Sequence, residues 1–307
     1  MTSPIVVGVD PLRQDPEAAV LAALLARATG APIVAVAVHP REIPLRFGGG
    51  GAFQEEVRGT ALARLSAIEP AFHAVPLETL AVAGSSAAHA LHDCAEDRGA
   101  SLIVVGSTHH GITGRISLGS TADRLLHGAP CPIAVAPLGF AERMRGLERI
   151  GAAFVDSEEG YEALRAAGAL ASACGAELHA ATAVEPVAWS ATSPVQPYDV
   201  RTHLDQLCGR AEERLRSALG GLVPPVPSHV EVLVNRPVTA LGQLSHDVDL
   251  LVCGSRGYGP LGSVLLGGVS RRLIHRAACP VLVVPRGTER AIEALTGAGT
   301  TVEAGHA

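Results

Sequence analysis

Two glycine-rich segments carry the residues whose types and spacing best suit the binding of an anion. One runs from Gly106 to Gly119 and the other from Gly254 to Gly267, so they match at an offset of 148 residues. Each follows a short apolar run that is typical of a buried strand and leads into a helical pattern. A loop between a strand and a helix presents unpaired backbone N–H groups at the positive end of the helix dipole. Both segments therefore predict a site for an anionic group such as phosphate.

The two loops offer different side chains around the same glycine framework. Glycine lets the backbone approach a ligand closely, and a hydroxyl at the start of the helix adds a neutral donor. The candidate residues of the first loop are Gly106, Gly111, Gly119, Ser120 and Thr121. Those of the second loop are Gly254, Gly257, Gly267, Gly268, Val269 and Ser270. Glycine spacing alone also fits a tight turn, so both interpretations stay open at this point.

The elements that must position these loops alternate between strands and helices. Apolar runs predict ten strands, at residues 5–9, 32–38, 77–83, 101–105, 133–136, 150–156, 177–184, 230–234, 250–254 and 281–284. Helical patterns lie between them, and residues 41–53, 140–147 and 186–199 are predicted as loops or connectors. Such alternation predicts parallel crossovers. We expect an α/β protein of two tandem, doubly wound (Rossmann-like) domains, each with a five-stranded parallel sheet.

The length and the repeat set the domain boundaries. A chain of 307 residues is long enough for two domains of ordinary size. We predict domains at residues 1–140 and 147–287, followed by a disordered tail at residues 288–307 that is rich in glycine and threonine.

Composition excludes several functions. The chain has no lysine, because all 24 basic residues are arginine, and this rules out a P-loop or Schiff-base lysine. A net charge of −6 without a basic block argues against nucleic acid or an anionic membrane as a partner. The sequence shows no secretory signal or spanning segment, so we expect a cytoplasmic protein whose six cysteines are reduced and buried.

Three features recur around the two loops: the strand ends Gly-Val-Asp10 and Phe-Val-Asp156, the segments Arg124–His127 and Arg272–His275, and the Cys-Pro pairs at Cys131 and Cys279. Together with the glycine loops, these features resemble the universal stress protein family. The resemblance covers nearly the whole chain as two tandem family domains, leaving out the connector and the tail.

The resemblance implies an adenine nucleotide, ATP, as the ligand. Asp10 and Asp156 would then face the ribose and base, Val38 and Val184 would line the adenine, and the glycine loops would hold the phosphates. It also implies that the two domains form an intramolecular pseudo-dimer through their fifth strands, residues 133–136 and 281–284. Association of two chains into a homodimer stays open.

Each loop departs from the family's nucleotide motif at one position. His109 stands where the first loop should have its second glycine, and Gly268 stands where the second loop should have a hydroxyl. Loss of one hydroxyl hydrogen bond weakens binding by only about 0.5–1.5 kcal/mol, whereas the Cβ of His109 restricts the backbone that should approach the phosphate. Backbone access is harder to replace than one hydroxyl, so the second loop is slightly favoured. Arg115 and Arg256 are candidates for the positive charge at the two loops, with solvated loop arginines as the equal alternative.

We therefore expect a stress-related protein that binds adenine nucleotide and acts as a sensor or regulator. One alternative is a protein–protein interaction module with vestigial loops and an unidentified protein partner. Another is a slow ATP hydrolase with Mg²⁺ held at Asp10 or Asp156, so the question of enzymatic activity stays open. The histidine pairs His109–His110 and His89–His92 are interpreted as surface residues rather than metal ligands.

Overall fold

The structure is a computed structural model. It describes residues 2–13, 16–41, 50–108, 113, 115–143, 146–186, 197–255 and 267–285. The predicted tail at 288–307, His109, His110 and Arg256 lie outside the described residues. No helix in the described ranges combines the length and the apolar character needed to cross a membrane.

The first half of the chain alternates strands and helices as the sequence predicts. Its strands are β1 (Ile5–Val9), β2 (Ile33–His39), β3 (Leu77–Ala83), β4 (Leu102–Gly106) and β5 (Ile133–Ala136). Its helices are α1 (Glu17–Thr29), α2 (Gly50–Ile68), α3 (Ala87–Asp97), α4 (Ser120–Leu125) and α5 (Phe140–Arg143), with a 3-10 turn at Glu69–Phe72. Gly30 ends α1, with a φ of 70° and its N–H donated to the Ala26 carbonyl.

The second half repeats this order. Its strands are β6 (Arg149–Phe154), β7 (Glu177–Val184), β8 (Ser228–Val234), β9 (Leu250–Gly254) and β10 (Val281–Val284). Its helices are α6 (Glu158–Cys174), α7 (Pro197–Gly220), α8 (Pro237–Leu244) and α9 (Gly268–Arg276).

The ten strands form one sheet in the order β3-β2-β1-β4-β5-β10-β9-β6-β7-β8. Within each half all the pairings are parallel, and strand order reverses between the first and fourth strands of the half. This is the doubly wound arrangement, which places a ligand crevice beyond the carboxyl ends of the strands. The predicted fold class is confirmed.

The halves join through β5 and β10, which pair antiparallel with Ala134 opposite Leu282. This confirms the predicted association of the fifth strands. Across the same junction, Arg271 Nη2 lies 3.1 Å from Asp123 Oδ1. These two residues hold equivalent positions at the 148-residue offset, so the halves carry opposite charges at one point of their shared interface.

Helices cover both faces of the sheet and bury two apolar layers. One layer packs α1, α2, α6 and α7 against the strands, and the other packs α3, α4, α8 and α9. Alanine, valine and leucine fill most of both layers, in agreement with the low aromatic content of 3%.

Three predicted loop boundaries are wrong. Helix α2 begins at Gly50, inside the predicted loop at 41–53, because the apolar residues Phe53 and Val57 lie one helical turn apart and extend the helix toward its N-terminus. Helix α7 begins at Pro197, inside the predicted loop at 186–199, since proline suits the first position of a helix. The predicted connector contains α5, which buries Phe140.

A buried carboxylate fixes the chain where it leaves β5. Glu17 is only 5% exposed, and its Oε1 accepts a hydrogen bond from the Gly139 backbone N–H at 2.6 Å. We expect Glu17→Ala to lower the free energy of unfolding by about 1–3 kcal/mol, because a buried N–H loses its acceptor. Urea denaturation measures this effect. As a control, Glu55→Ala removes an exposed carboxylate 3.9 Å from Arg58 and should cost less than about 0.5 kcal/mol.

Candidate functional site

A cavity of about 720 Å³ opens at the carboxyl ends of the first-half strands, where the strand order reverses. We call it the first cavity. Its lining brings together residues that are far apart in sequence, among them Asp10, Val38, Gly106, Gly119, Ser120 and Thr121. The sequence-predicted site of the first half is therefore assembled in space, apart from Gly111, which lies outside the described residues.

Hydroxyl side chains hold the two ends of the first glycine loop together. The Ser107 hydroxyl accepts a hydrogen bond from the Ser117 N–H at 2.6 Å. The Thr108 N–H and hydroxyl both donate to the Ser117 carbonyl, at 2.8 and 3.1 Å. This clasp sets the close approach of Thr108 to Gly119, where an added Cβ would lie 2.6 Å from Thr108 Cγ2.

Three polar side chains of the first cavity, those of Asp10, Ser120 and Thr121, can bind a ligand. Within the described part of the chain, no protein group hydrogen-bonds the side-chain hydroxyl of Ser120 or Thr121 at the start of α4. Asp10 is exposed, and its Oδ1 accepts the Leu12 backbone N–H at 2.9 Å. A carboxylate oxygen has further acceptor capacity beyond one such bond.

Apolar side chains form the remaining wall of the first cavity. Val36 and Val38 reach it from β2, and Phe53 and Val57 reach it from α2. A cavity with an apolar wall and a few convergent polar groups is the usual form of a small-molecule site.

A smaller cavity of about 350 Å³ occupies the corresponding place in the second half. We call it the second cavity. Of the predicted residues, its lining includes Asp156, Val184, Gly254, Val269 and Ser270. Gly267 and Gly268 are not among the described residues that line it, and Gly257 lies outside the described residues.

The strand-end carboxylate of the second cavity already has two side-chain partners. Arg214 Nη1 lies 2.7 Å from Asp156 Oδ2, and the Tyr161 hydroxyl donates to Asp156 Oδ1 at 3.1 Å. Burial, and after it the nearby Asp156 charge, raise the pKa of Tyr161, so the phenol stays a neutral donor at physiological pH. Asp156 is therefore more constrained than Asp10.

One glycine of the second loop, Gly254, is required for helix–strand packing. A Cβ added at Gly254 would lie 2.8 Å from the Glu159 carbonyl oxygen, so this glycine allows α6 to approach β9. The buried Ser270 hydroxyl donates to the Gly254 carbonyl at 2.8 Å, which commits its proton to the protein. Among the described residues at the start of α9, neither Gly268 nor Val269 offers a replacement hydroxyl.

Sequence reasoning missed the side chains that distinguish the two cavities. Ser107, Thr108 and Ser117 could have been found as hydroxyls flanking the loop after Gly106. Arg210 and Arg214 line the second cavity from α7, and no local motif marks them. Arg115, a predicted source of positive charge, is not among the described residues that line the first cavity.

The three buried cysteines are not reactive thiols. All six are free, with Cys131, Cys253 and Cys279 buried and the others half-buried. Burial raises the pKa of Cys131 and Cys253 to about 12, so both are protonated at neutral pH. Among the described residues, no three histidine, cysteine or acidic side chains are grouped to hold a metal ion.

Comparison with known proteins gives consistent similarities. The sequence matches the Universal stress protein family twice, over residues 1–137 and 146–285. A universal stress protein of Mycobacterium tuberculosis strain H37Rv is 30% identical over 203 residues, which are 64% of this chain and 68% of that protein.

Solved structures share the fold. A universal stress protein from Archaeoglobus fulgidus DSM 4304 superposes with a TM-score of 0.62 at 20% identity, covering 92% of this chain and 98% of its own. Two shorter universal stress proteins were solved with adenine nucleotides, one with cAMP and one, from Archaeoglobus fulgidus, with dAMP. Both are 25% identical to this chain, with TM-scores of 0.33 and 0.35; they cover 45% and 44% of it and 97% of their own length.

Proposed function

This chain belongs to the universal stress protein family as two tandem domains, and from that premise we propose that it binds ATP in the first cavity as a stress-related sensor or regulator. The domains are proposed to span residues 1–140 and 147–287. One observation carries the proposal. Asp10, Gly106 and Gly119 at the two ends of the first glycine loop, and the residues Ser120 and Thr121 with their hydroxyls all line a cavity of about 720 Å³ that has an apolar wall.

Each part of a nucleotide has a chemically suitable counterpart in the first cavity. Val36 and Val38 offer an apolar surface to the adenine, and the Asp10 carboxylate is an acceptor for ribose hydroxyls. The backbone at Gly106 and Gly119, with the hydroxyls of the α4 start, suits the phosphates. If Mg²⁺ accompanies ATP, it would bind phosphate oxygens and several waters, and Asp10 is the carboxylate that could serve as its protein ligand.

The proposal favours the first cavity, whereas the sequence alone favours the second loop. In the second cavity Asp156 is engaged by Arg214 and Tyr161, and the Ser270 proton is committed to Gly254. Asp10 and the two first-loop hydroxyls have no such side-chain partners within the described residues.

We expect Asp10→Ala to weaken ATP binding about tenfold or more, because a charged acceptor for the ribose is lost. Isothermal titration of the full chain with ATP measures the change, and mass analysis of ligand released on denaturation identifies what the purified protein carries. Asp97→Ala is the matched control, because Asp97 is an exposed acid at the end of α3 and is not among the described residues that line either cavity.

Two experimental results would contradict the proposed role as an ATP-binding sensor. Absence of saturable binding at millimolar ATP would remove the sensor role and leave the interaction module. Steady phosphate release that Asp10→Ala abolishes would instead support the slow hydrolase.

A further inference from the structure

Two arginines give the second cavity a chemistry that the first cavity lacks. Arg210 and Arg214 lie one turn apart on α7, and both line the second cavity. Their counterparts are found by aligning the half-buried Ala211 and the buried Leu215 of α7 with the buried Ala61 and Leu65 of α2. The counterparts are Thr60 and Arg64, and neither is among the described residues that line the first cavity.

The charges at the α7 end of the second cavity sum to a positive value. Its described charged lining residues are Asp156, Arg210 and Arg214, so one guanidinium charge remains after Asp156 is neutralised. The described acidic and basic residues that line the first cavity are Asp10, Arg13 and His39, and the opposite charges of Asp10 and Arg13 cancel. An anionic group is therefore better accommodated at the α7 end of the second cavity than at the equivalent end of the first.

An anionic ligand can replace Asp156 as the ion-pair partner of Arg214. The side chains of Arg214 and Asp156 are 63% and 42% exposed, and ion pairs at such exposure contribute little to stability. Asp156 would keep the hydrogen bond from the Tyr161 hydroxyl after the exchange. A guanidinium binds phosphate through two parallel N–H groups, and two guanidinium groups one turn apart surround a phosphate better than one.

We infer that the second cavity takes a nucleotide that carries a phosphate on its 2′ or 3′ ribose oxygen in addition to its 5′ phosphate. In doubly wound folds a carboxylate at the strand end suits a free ribose hydroxyl, whereas a nearby arginine accommodates a phosphate on the ribose. Both cavities keep the strand-end carboxylate, but the second adds a pair of arginines on α7, whereas the first has Arg13 alone. This inference rests on the proposed function, because it assumes that the halves bind nucleotides, and it assigns them different nucleotide classes.

The test uses the full chain with Gly119→Val, because the added side chain would fill the loop side of the first cavity. We expect adenosine 3′,5′-bisphosphate or adenosine 2′,5′-bisphosphate to bind this chain about tenfold or more tightly than AMP in isothermal titration. The two bisphosphates distinguish the 3′ from the 2′ position. Adding Arg210→Ala and Arg214→Ala should abolish the preference over AMP.

Two controls separate recognition from folding. Arg64→Ala changes the position equivalent to Arg214 in the first half and should leave the preference within about twofold, as expected for a substitution outside the site. The double substitution Arg210→Lys and Arg214→Lys keeps the charge but loses the paired N–H geometry, so it should retain part of the preference. Thermal unfolding checks that each variant is folded.

Three outcomes would overturn the inference. Equal affinity for the bisphosphates and AMP would refute it while ATP binding by the wild type still upheld the proposed function. Retention of the preference in the double alanine variant would show that other groups read the phosphate. Absence of any nucleotide binding by the wild type would overturn both proposals together.

Discussion

Gly119→Val is expected to abolish most ATP binding at the first cavity without unfolding the chain. The backbone at Gly119 has φ −81° and ψ 167°, which any residue adopts, so the glycine is required for space rather than for conformation. An added Cβ would lie 2.6 Å from Thr108 Cγ2, and valine adds two further carbons at a residue that lines the cavity. Overpacking of this kind costs about 1–3 kcal/mol, which corresponds to a loss of about five- to 150-fold in affinity if the bound state bears it.

The clasp around the loop explains why Thr108 will not simply move aside. Its N–H and its hydroxyl both donate to the Ser117 carbonyl, so a shift of the methyl group also disturbs two hydrogen bonds. Isothermal titration of Gly119→Val with ATP measures the loss of affinity.

Gly128→Ala is the control for Gly119→Val, because a Cβ at Gly128 meets no atom within 4 Å and the residue lies outside the lining of the first cavity. Unchanged ATP affinity in Gly119→Val would show that the nucleotide does not occupy the first cavity.

Local patterns in the sequence are sufficient to predict the sheet. Strands buried on both faces appear as continuous apolar runs. The internal repeat indicates that the two halves of the chain form the same order of strands and helices. The pairing of β5 with β10 was implied by resemblance rather than by local pattern, since edge pairing depends on the partner half. Helix starts at Gly50 and Pro197 were missed because they depend on tertiary packing and on position-specific preferences rather than on periodicity.

The candidate site was only partly predictable for a similar reason. Asp10 and Asp156 hold equivalent sequence positions and looked interchangeable. Their difference arises from Arg214, 58 positions after Asp156 in the chain. An arginine in a charged helix is usually a solvated residue, and only the packing of α7 over β7 and β8 brings this one to the strand end. The two halves thus share the strand order and differ at the strand-end carboxylate through side chains on α7.

The largest effect on stability is expected from Gly160→Ala in the second half. Gly160 lies in the first turn of α6, where its N–H donates to the hydroxyl of the capping residue Ser157. A Cβ at this position would lie 1.8 Å from the Val155 carbonyl oxygen and 2.8 Å from its carbonyl carbon. These are backbone atoms, so relief requires movement of the chain between β6 and α6. We expect a loss of about 3 kcal/mol or more in the free energy of unfolding, measured by urea denaturation.

The same change tests whether the second cavity depends on this turn, because Asp156 lies between Val155 and the start of α6. Gly160→Ala should therefore also weaken binding of adenosine 3′,5′-bisphosphate, while ATP binding at the first cavity is retained.

Gly209→Ala is the matched control for Gly160→Ala, since it makes the same chemical change within α7 where a Cβ meets no atom within 4 Å. It should instead raise stability by about 0.5–1 kcal/mol, because alanine is the better helix former. If Gly160→Ala unfolds at the same urea concentration as the wild type, then the tight turn between β6 and α6 does not constrain the second half, and the position of Asp156 must be fixed by Arg214 and Tyr161 instead.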